Sequence, residues 1–255
     1  MTTMSMTQVR TYLSEMKLPG MAVALEKATA DATADAWSYT EFLDVLLQAE
    51  QDSREKRRSV SRIKASKLKL HPAFEDFDFT ASRSITKAQI KELYALKWVE
   101  QGRPILLIGQ TGVGKTFIAQ AAGLHACGHG KNVLFMSVPT LLENQALARS
   151  TGAYLKFRDK LVKPDILILD DFGMRKFTTM EAQDLCEILE ERSMGKSTII
   201  TTQLPLDHWQ EVLPDPVIAD AILDRLVHSA LQFKITGESY RKVKAKKLAT
   251  EKDGK

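Results

Sequence analysis

Residues 109–116 read Gly-Gln-Thr-Gly-Val-Gly-Lys-Thr, a complete phosphate-binding loop of the form G-x-x-x-x-G-K-[ST]. No other stretch limits the possible folds as tightly. Such a loop works where a strand delivers the chain into it and a helix carries it away. Its glycines let backbone N–H groups turn inward on phosphate oxygens, and the helix start behind them presents further unpaired N–H groups to an anion. Both flanks are present: residues 104–108 are the apolar run Pro-Ile-Leu-Leu-Ile, and residues 116–125 follow a helical pattern. Lys115 is placed to reach the β- and γ-phosphates of a nucleotide, and the Thr116 hydroxyl to ligate Mg²⁺. The expected nucleotide-contacting set is the loop itself, Gly109, Gln110, Thr111, Gly112, Val113, Gly114, Lys115 and Thr116, together with the next helical residue, Phe117.

From residue 103 onward short apolar runs alternate with helical patterns. Strands are expected at 104–108, 133–137, 165–170, 197–202 and 231–235, and helices at 115–127, 139–149, 152–161, 178–193 and 216–228. Alternation of this kind implies an α/β fold, a five-stranded parallel sheet covered on both faces, with ligands at the carboxyl ends of its strands. The third run, Pro-Asp-Ile-Leu-Ile-Leu-Asp-Asp at 164–171, ends in two carboxylates. A buried parallel strand is apolar along its length, so the acids belong at its exposed end. Asp170 suits the Mg²⁺-holding role, and Asp171 would stand beside the γ-phosphate and orient the attacking water. The fourth run ends Thr-Thr-Gln, where Thr202 or Gln203 could hydrogen-bond that water or the phosphate. Arg225, in the amphipathic pattern 219–227, and Arg241, after the last strand, are candidates for stabilising charge on the transferring phosphoryl group.

Residues 1–70 read as a small helical domain preceding an ATPase domain at 71–255. Leu13, Met16, Leu18, Met21 and Leu25 recur at helical spacing, interrupted by Pro19-Gly20, and Phe42, Leu43, Leu46 and Leu47 form a second apolar face. His71-Pro72 marks the boundary, because the residue before proline disfavours helix. An extended aromatic segment follows at 74–79; Thr86 and Gln89 then form a capping box that opens a helix running to Gly102.

Charge is segregated along the chain. Between residues 51 and 70, Arg54, Lys56, Arg57, Arg58, Arg62, Lys64, Lys67 and Lys69 stand against Asp52 and Glu55. Residues 234–255 carry eight more basic residues against three acids, which leaves the remainder net acidic under an overall charge of +4. Two basic segments flanking an acidic core point to a polyanionic partner, nucleic acid first. Cys127 and Cys186 are the only cysteines, both in helical patterns and expected as buried thiols; no run is long and apolar enough to span a membrane or act as a signal peptide. The expected location is the cytoplasm.

The order of motifs resembles the AAA+ ATPases, and within them the IstB-like transposition helper proteins of insertion sequences, with the DnaC helicase loader as a cousin. The matching pieces are Lys-Leu-Pro-Gly-Met-Ala at 17–22, Glu-Asp-Phe-Asp-Phe at 75–79, the phosphate loop, Ile-Leu-Asp-Asp-Phe-Gly at 168–173, Thr-Thr-Gln-Leu-Pro at 201–205, Ile-Leu-Asp-Arg-Leu-Val at 222–227 and Gly-Glu-Ser-Tyr-Arg at 237–241. The resemblance implies the AAA+ strand order and an ATP site between subunits of a homo-oligomer. It gives Arg225 the place of the arginine finger and Arg241 that of the sensor-2 arginine. Gln203 falls at the sensor-1 position, where many AAA+ proteins have asparagine, and Phe77 and Phe79 fall where the adenine pocket begins. Asp171 stands where AAA+ proteins usually carry glutamate; the shorter side chain implies slow hydrolysis. The resemblance further implies ATP-dependent, largely sequence-independent binding to duplex DNA, through residues such as Arg54, Lys56, Arg57, Arg58, Arg62 and Lys64, and assistance to a DDE-type transposase of the same element. A DnaC-like helicase loader is the alternative; residues 1–70 contain no cysteine cluster for a zinc-binding loader module, and their basic run favours DNA. A small-molecule kinase fits less well, since the paired aspartates and the late Arg225 suit an NTPase oligomer.

Overall fold

The computed structural model describes residues 4–70, 72, 74 and 84–239. The chain divides into two compact units, Met1–Ser61 and Arg62–Lys255, each with its own core.

The smaller unit is helical. α1 (Met6–Glu15) opens on a capping box between Ser5 and Gln8; α2 (Pro19–Ala34) and α3 (Tyr39–Ala65) follow. The chain breaks at Lys17, whose φ is +60°, and Pro19 is the first residue of α2, where its missing N–H costs no helical bond. Met21, Leu25, Ala28 and Leu46 form the core, with Val9, Leu13, Leu18 and Phe42 packed around them. A Cβ on Gly20 would lie 2.5 Å from the Ala49 carbonyl oxygen, so only glycine permits this approach of α2 to α3. α2 has no side-chain cap at its own N-cap residue, Leu18. Instead the buried Glu50 carboxylate accepts the N–H groups of Gly20 at 2.7 Å and Met21 at 3.4 Å, supplying negative charge where the helix needs it. Arg54 Nε donates to the second oxygen at 2.7 Å and Arg57 Nη2 at 3.5 Å. Burial opposes the charge on Glu50, but these partners outweigh it and hold its pKa below the usual carboxylate range. The basic run of residues 51–64 is the second half of α3, one continuous helix.

The larger unit is built on five parallel strands, β1 (Ile105–Ile108), β2 (Val133–Ser137), β3 (Ile166–Phe172), β4 (Ser197–Thr202) and β5 (Leu231–Lys234), in the order β2-β3-β4-β1-β5. The strand bounds expected from the apolar runs hold to within two residues. β1, β3 and β4 are covered on both faces, so consecutive rather than alternate positions are apolar. One core joins Ile105, Leu107, Ile166, Ile168 and Ile199 to Ile118, Ala122 and Ala126 of α6 (Lys115–Gly128). The other joins Leu106, Leu134, Leu167, Leu169 and Ile200 to α7 (Val138–Ser150), α9 (Thr179–Ser193) and α10 (Pro216–Val227), with α8 (Tyr154–Val162) adding Leu161.

The capping box of Thr86 and Gln89 forms as expected, but the helix it opens does not run to Gly102. It splits into α4 (Lys87–Tyr94) and α5 (Lys97–Glu100) at Leu96, whose φ is +54°. The break turns Trp98 into the core, where its Nε1 donates to the Leu93 carbonyl at 2.9 Å. Arg192 is also fully buried. It donates to the carbonyls of Leu161, Pro164 and Ser197 and to Thr198 Oγ1, stapling the entrances of β3 and β4; burial pushes its pKa down to about 9 against the pull of Asp165. Among the described residues, no helix is long and apolar enough to cross a membrane. Both cysteines are free thiols; Cys127 is buried, which pushes its pKa up to about 11, and Cys186 is half-buried.

Candidate nucleotide site

The exit of β1 becomes the phosphate loop. The Gly109 N–H donates to the Thr202 carbonyl at 3.1 Å, tying the start of the loop to β4. Gly112 and Gly114 have φ of +82° and +104°, the left-handed region that glycine enters without strain. A Cβ on Gly109 would lie 2.0 Å from the Ile235 carbonyl oxygen, and one on Gly112 2.2 Å from Ser239 Oγ, so the segment after β5 backs the loop closely. Val113 is buried and anchors its middle. Gly114 is the N-cap of α6 and contributes no side chain, which leaves the first N–H groups of that helix for an anion. Lys115 Nζ donates to the carbonyls of Gly109 at 2.7 Å and Gln110 at 2.8 Å. These acceptors are neutral. Burial therefore pushes the Lys115 pKa below the usual lysine range, against the pull of Asp171 and Asp170. Phosphate oxygens would add anionic acceptors bonded directly to this ammonium, beyond the pull of the two aspartates.

Thr116 Oγ1 donates to the Asp170 carboxylate, at 2.9 Å from Oδ1 and 3.2 Å from Oδ2. Thr201, on the neighbouring strand β4, donates to Asp170 Oδ1 at 2.6 Å. Burial raises the Asp170 pKa above the usual carboxylate range despite the two hydroxyls. Oxygen donors from one hydroxyl and one carboxylate, completed by water and phosphate, match the needs of Mg²⁺. Among the described residues no cluster of His, Cys, Asp and Glu offers a richer metal cage.

Asp171 owes its position to a β-bulge. Leu169 pairs with Ile200 but Phe172 pairs with Thr202, so β3 carries one extra residue. The bulge includes Asp171 at φ +61°, its N–H donating to Thr201 Oγ1 at 3.0 Å. Strict alternation would place Asp171 on the face of Leu167 and Leu169, against the second core. Through the bulge Phe172 takes that buried place instead and Asp171 stays partly exposed at the strand end. Lys115, Thr116, Asp170 and Asp171 are thus brought together, and Thr201, which sequence reasoning passed over, bridges the two acids. The only hint in the sequence was a strand buried along its whole length that nonetheless carries four hydroxyl side chains, Ser197, Thr198, Thr201 and Thr202.

Gln203 stands at the exit of β4. It lines a cavity of about 450 Å³ with Ile108, Gly109, Gln110, Leu206 and Ile235, and its Nε2 reaches Met174 Sδ at 3.7 Å. Thr202 is turned away, bonded to the Phe172 carbonyl and the Leu204 N–H. Phe117, in the first turn of α6, packs partly buried against the first core. Arg225 lies at the other end of the strands. It shares a small cavity with Gly102 and Pro104, which lead into β1, whereas the phosphate loop leaves β1. A four-residue strand separates the two by ~13 Å along the sheet, beyond the reach of an arginine toward its own loop. Of the basic residues on α3, Arg54 and Arg57 are held by Glu50, Arg62 Nε donates to the Cys127 carbonyl at 2.9 Å, and Lys56, Arg58 and Lys64 are exposed. Phe77, Phe79 and Arg241 lie outside the described residues.

With this geometry in hand, comparison with known proteins decides the family. The model of the IstB-like ATP binding protein family matches residues 11–249. The chain belongs to the IstB-like ATP-binding family. Its relatives include the candidate insertion sequence ATP-binding protein y4pL of Sinorhizobium fredii, 37% identical over 92% of this chain and 96% of that protein. Another is the candidate ATP-binding protein of insertion sequence IS21 from Pseudomonas aeruginosa, 34% identical over 92% of this chain and 89% of that protein. Among solved structures, the replication initiator DnaA bound to AMPPCP and single-stranded DNA superimposes with a TM-score of 0.57 at 19% identity, covering 72% of this chain and 56% of that one. DnaI gives 0.54 at 24% identity, covering 65% and 91%. These likenesses establish the AAA+ fold of this IstB-like protein; its strand order and the position of its loop agree with the expectation from sequence.

Proposed function

We propose that this IstB-like protein is a Mg²⁺-dependent ATPase that binds duplex DNA in its ATP state and assists a DDE transposase of the same insertion sequence, working as a homo-oligomer in the cytoplasm. The observation that carries the reading is the convergence of Lys115, Thr116 and the Asp170–Asp171 pair at the phosphate loop, in a chain whose family takes its members from insertion sequences. The loop N–H groups and Lys115 bind and orient the phosphates. Thr116 and Asp170 would hold Mg²⁺, which supplies charge neutralisation at the β- and γ-phosphates. Asp171, set free by the bulge, orients the attacking water, with Gln203 beside it; its short side chain makes turnover slow. Arg225, at the opposite end of the strands, serves the site of a neighbouring subunit, and Arg241 the site of its own. The helical region 1–70 supplies DNA and transposase contacts, with Lys56, Arg58 and Lys64 the α3 cations most available to phosphate.

The test is retention on a duplex of unrelated sequence, with and without ATP. Lys115→Ala should lose ATP-dependent retention and DNA-stimulated hydrolysis together. Equal retention with and without ATP in the parent protein would defeat the switch, and capture of a replicative helicase in place of the transposase would favour the loader reading.

A further inference from the structure

Arg225 lies in the last turn of α10 and Glu190 near the end of α9, two helices that pack side by side over the second core. The guanidinium is engaged inside its own subunit. Nη2 pairs with Glu190 Oε2, Nη1 donates to the Ala221 carbonyl at 2.7 Å, and Nε is buried without a partner. A cavity of about 50 Å³ opens beside it, with Arg192 and Lys196 also on its lining. Those two cations are tied to the backbone: Arg192 to the carbonyls of Leu161, Pro164 and Ser197, Lys196 to those of Val162 and Lys163. Arg225 is the cation of this lining held by a carboxylate, and its hold is imperfect, since one N–H points into protein with nothing to receive it.

An arginine that stabilises a phosphoryl group must bring net positive charge to it. Beside Glu190 that charge is neutralised. The pair is also accessible, the Arg225 side chain 26% exposed and the Glu190 side chain 48%, so it can exchange one anion for another without unpacking the core. We propose that Glu190 is a positioning residue that parks Arg225 in its own subunit, and that a neighbouring subunit's nucleotide must draw the guanidinium off this carboxylate before hydrolysis proceeds. The inference rests on the reading that Arg225 acts in trans. Competition with Glu190 then opposes assembly, so turnover per subunit rises more steeply with protein concentration than nucleotide occupancy does. A phosphate presents more charge than the carboxylate and can also accept from the orphaned Nε, which is why the exchange favours the assembled state.

The experiment uses the full chain with ATP, Mg²⁺ and duplex DNA, and measures hydrolysis per subunit against protein concentration. Glu190→Gln retains the size and one acceptor but removes the charge. The expected result is a half-saturating protein concentration about two- to fivefold lower, the worth of a partly exposed ion pair, with unchanged nucleotide affinity in dilute protein. Arg225→Ala should lose the concentration-dependent hydrolysis, and adding Glu190→Gln in that background should restore none of it. The proposal is overturned if Glu190→Gln leaves the concentration dependence unchanged, if it restores that hydrolysis in Arg225→Ala, or if it lowers turnover at saturating protein, which would make Glu190 an aligning rather than a parking residue. Arg225→Ala with full, concentration-dependent hydrolysis would instead overturn the trans reading itself, a result distinguishable from failure of the Glu190 inference alone.

Discussion

Thr201→Val is the most direct probe of how the acidic pair is held. The substitution keeps the shape of a wholly buried side chain and deletes one hydroxyl that serves two partners, donating to Asp170 Oδ1 at 2.6 Å and accepting from the Asp171 N–H at 3.0 Å. A hydrogen bond to a charged group is worth about 1.5–3 kcal/mol, and an orphaned, partly buried N–H costs about 1 kcal/mol or more, so the fold should lose about 3 kcal/mol. For a unit of this size that corresponds to a fall in Tm of roughly 6–12 °C. Thr201→Ser, which keeps the hydroxyl and loses a methyl, should cost only about 1 kcal/mol. The sign of the pH dependence follows from Asp170. Its folded pKa is already raised by burial, so its contribution to stability is present below the ordinary aspartate range and is lost as pH rises through the folded pKa. Removing Thr201, which favours the carboxylate, raises that pKa further. The deficit of the valine variant should therefore be largest at neutral pH and shrink as pH falls below the folded pKa of Asp170. Thermal unfolding of parent, valine and serine variants across pH measures this. A valine variant that melts within roughly 2 °C of the parent at neutral pH, under 1 kcal/mol, would refute the assignment of Thr201 as the bridge between the acids.

Arg192→Met should cost about 3–5 kcal/mol by leaving the carbonyls of Leu161, Pro164 and Ser197 without their buried donor; a loss below about 1 kcal/mol in denaturant titration would mean that these carbonyls find other partners. On DNA, Lys56→Ala and Arg58→Ala should each reduce the slope of log affinity against log salt by about 0.9 for every phosphate that the side chain neutralises in the parent protein. Arg54→Ala, because it also frees the buried Glu50, should show its main effect as a lower melting temperature of the helical unit. Fluorescence anisotropy with a labelled duplex reads the slopes, and parental slopes in both the Lys56 and Arg58 variants would place the DNA-binding surface elsewhere.

Much of this protein is local enough to be read from its sequence. The phosphate loop, the apolar runs that become buried parallel strands, the capping box at Thr86 and Gln89, and the two carboxylates ending β3 all depend on residues within a few positions of one another. Backbone conformational preference and apolar periodicity act at that range, so the fold class and the elements that frame the candidate site are legible in the chain itself. The tertiary structure decided the features whose partners are remote. The register of β3 against β4 places the bulge that keeps Asp171 out of the second core and sets Thr201 between the acids. Burial of Trp98 breaks a continuous helical pattern at Leu96. Glu50 caps a helix thirty residues earlier and thereby ties up two arginines of a run that composition alone presents as uniformly available. Arg225 is separated from its own loop because α10 leads into β5 at the end of the strands opposite the loop. Hydrogen-bond geometry and packing across the sheet choose these partners, and neither leaves a periodic trace in the chain.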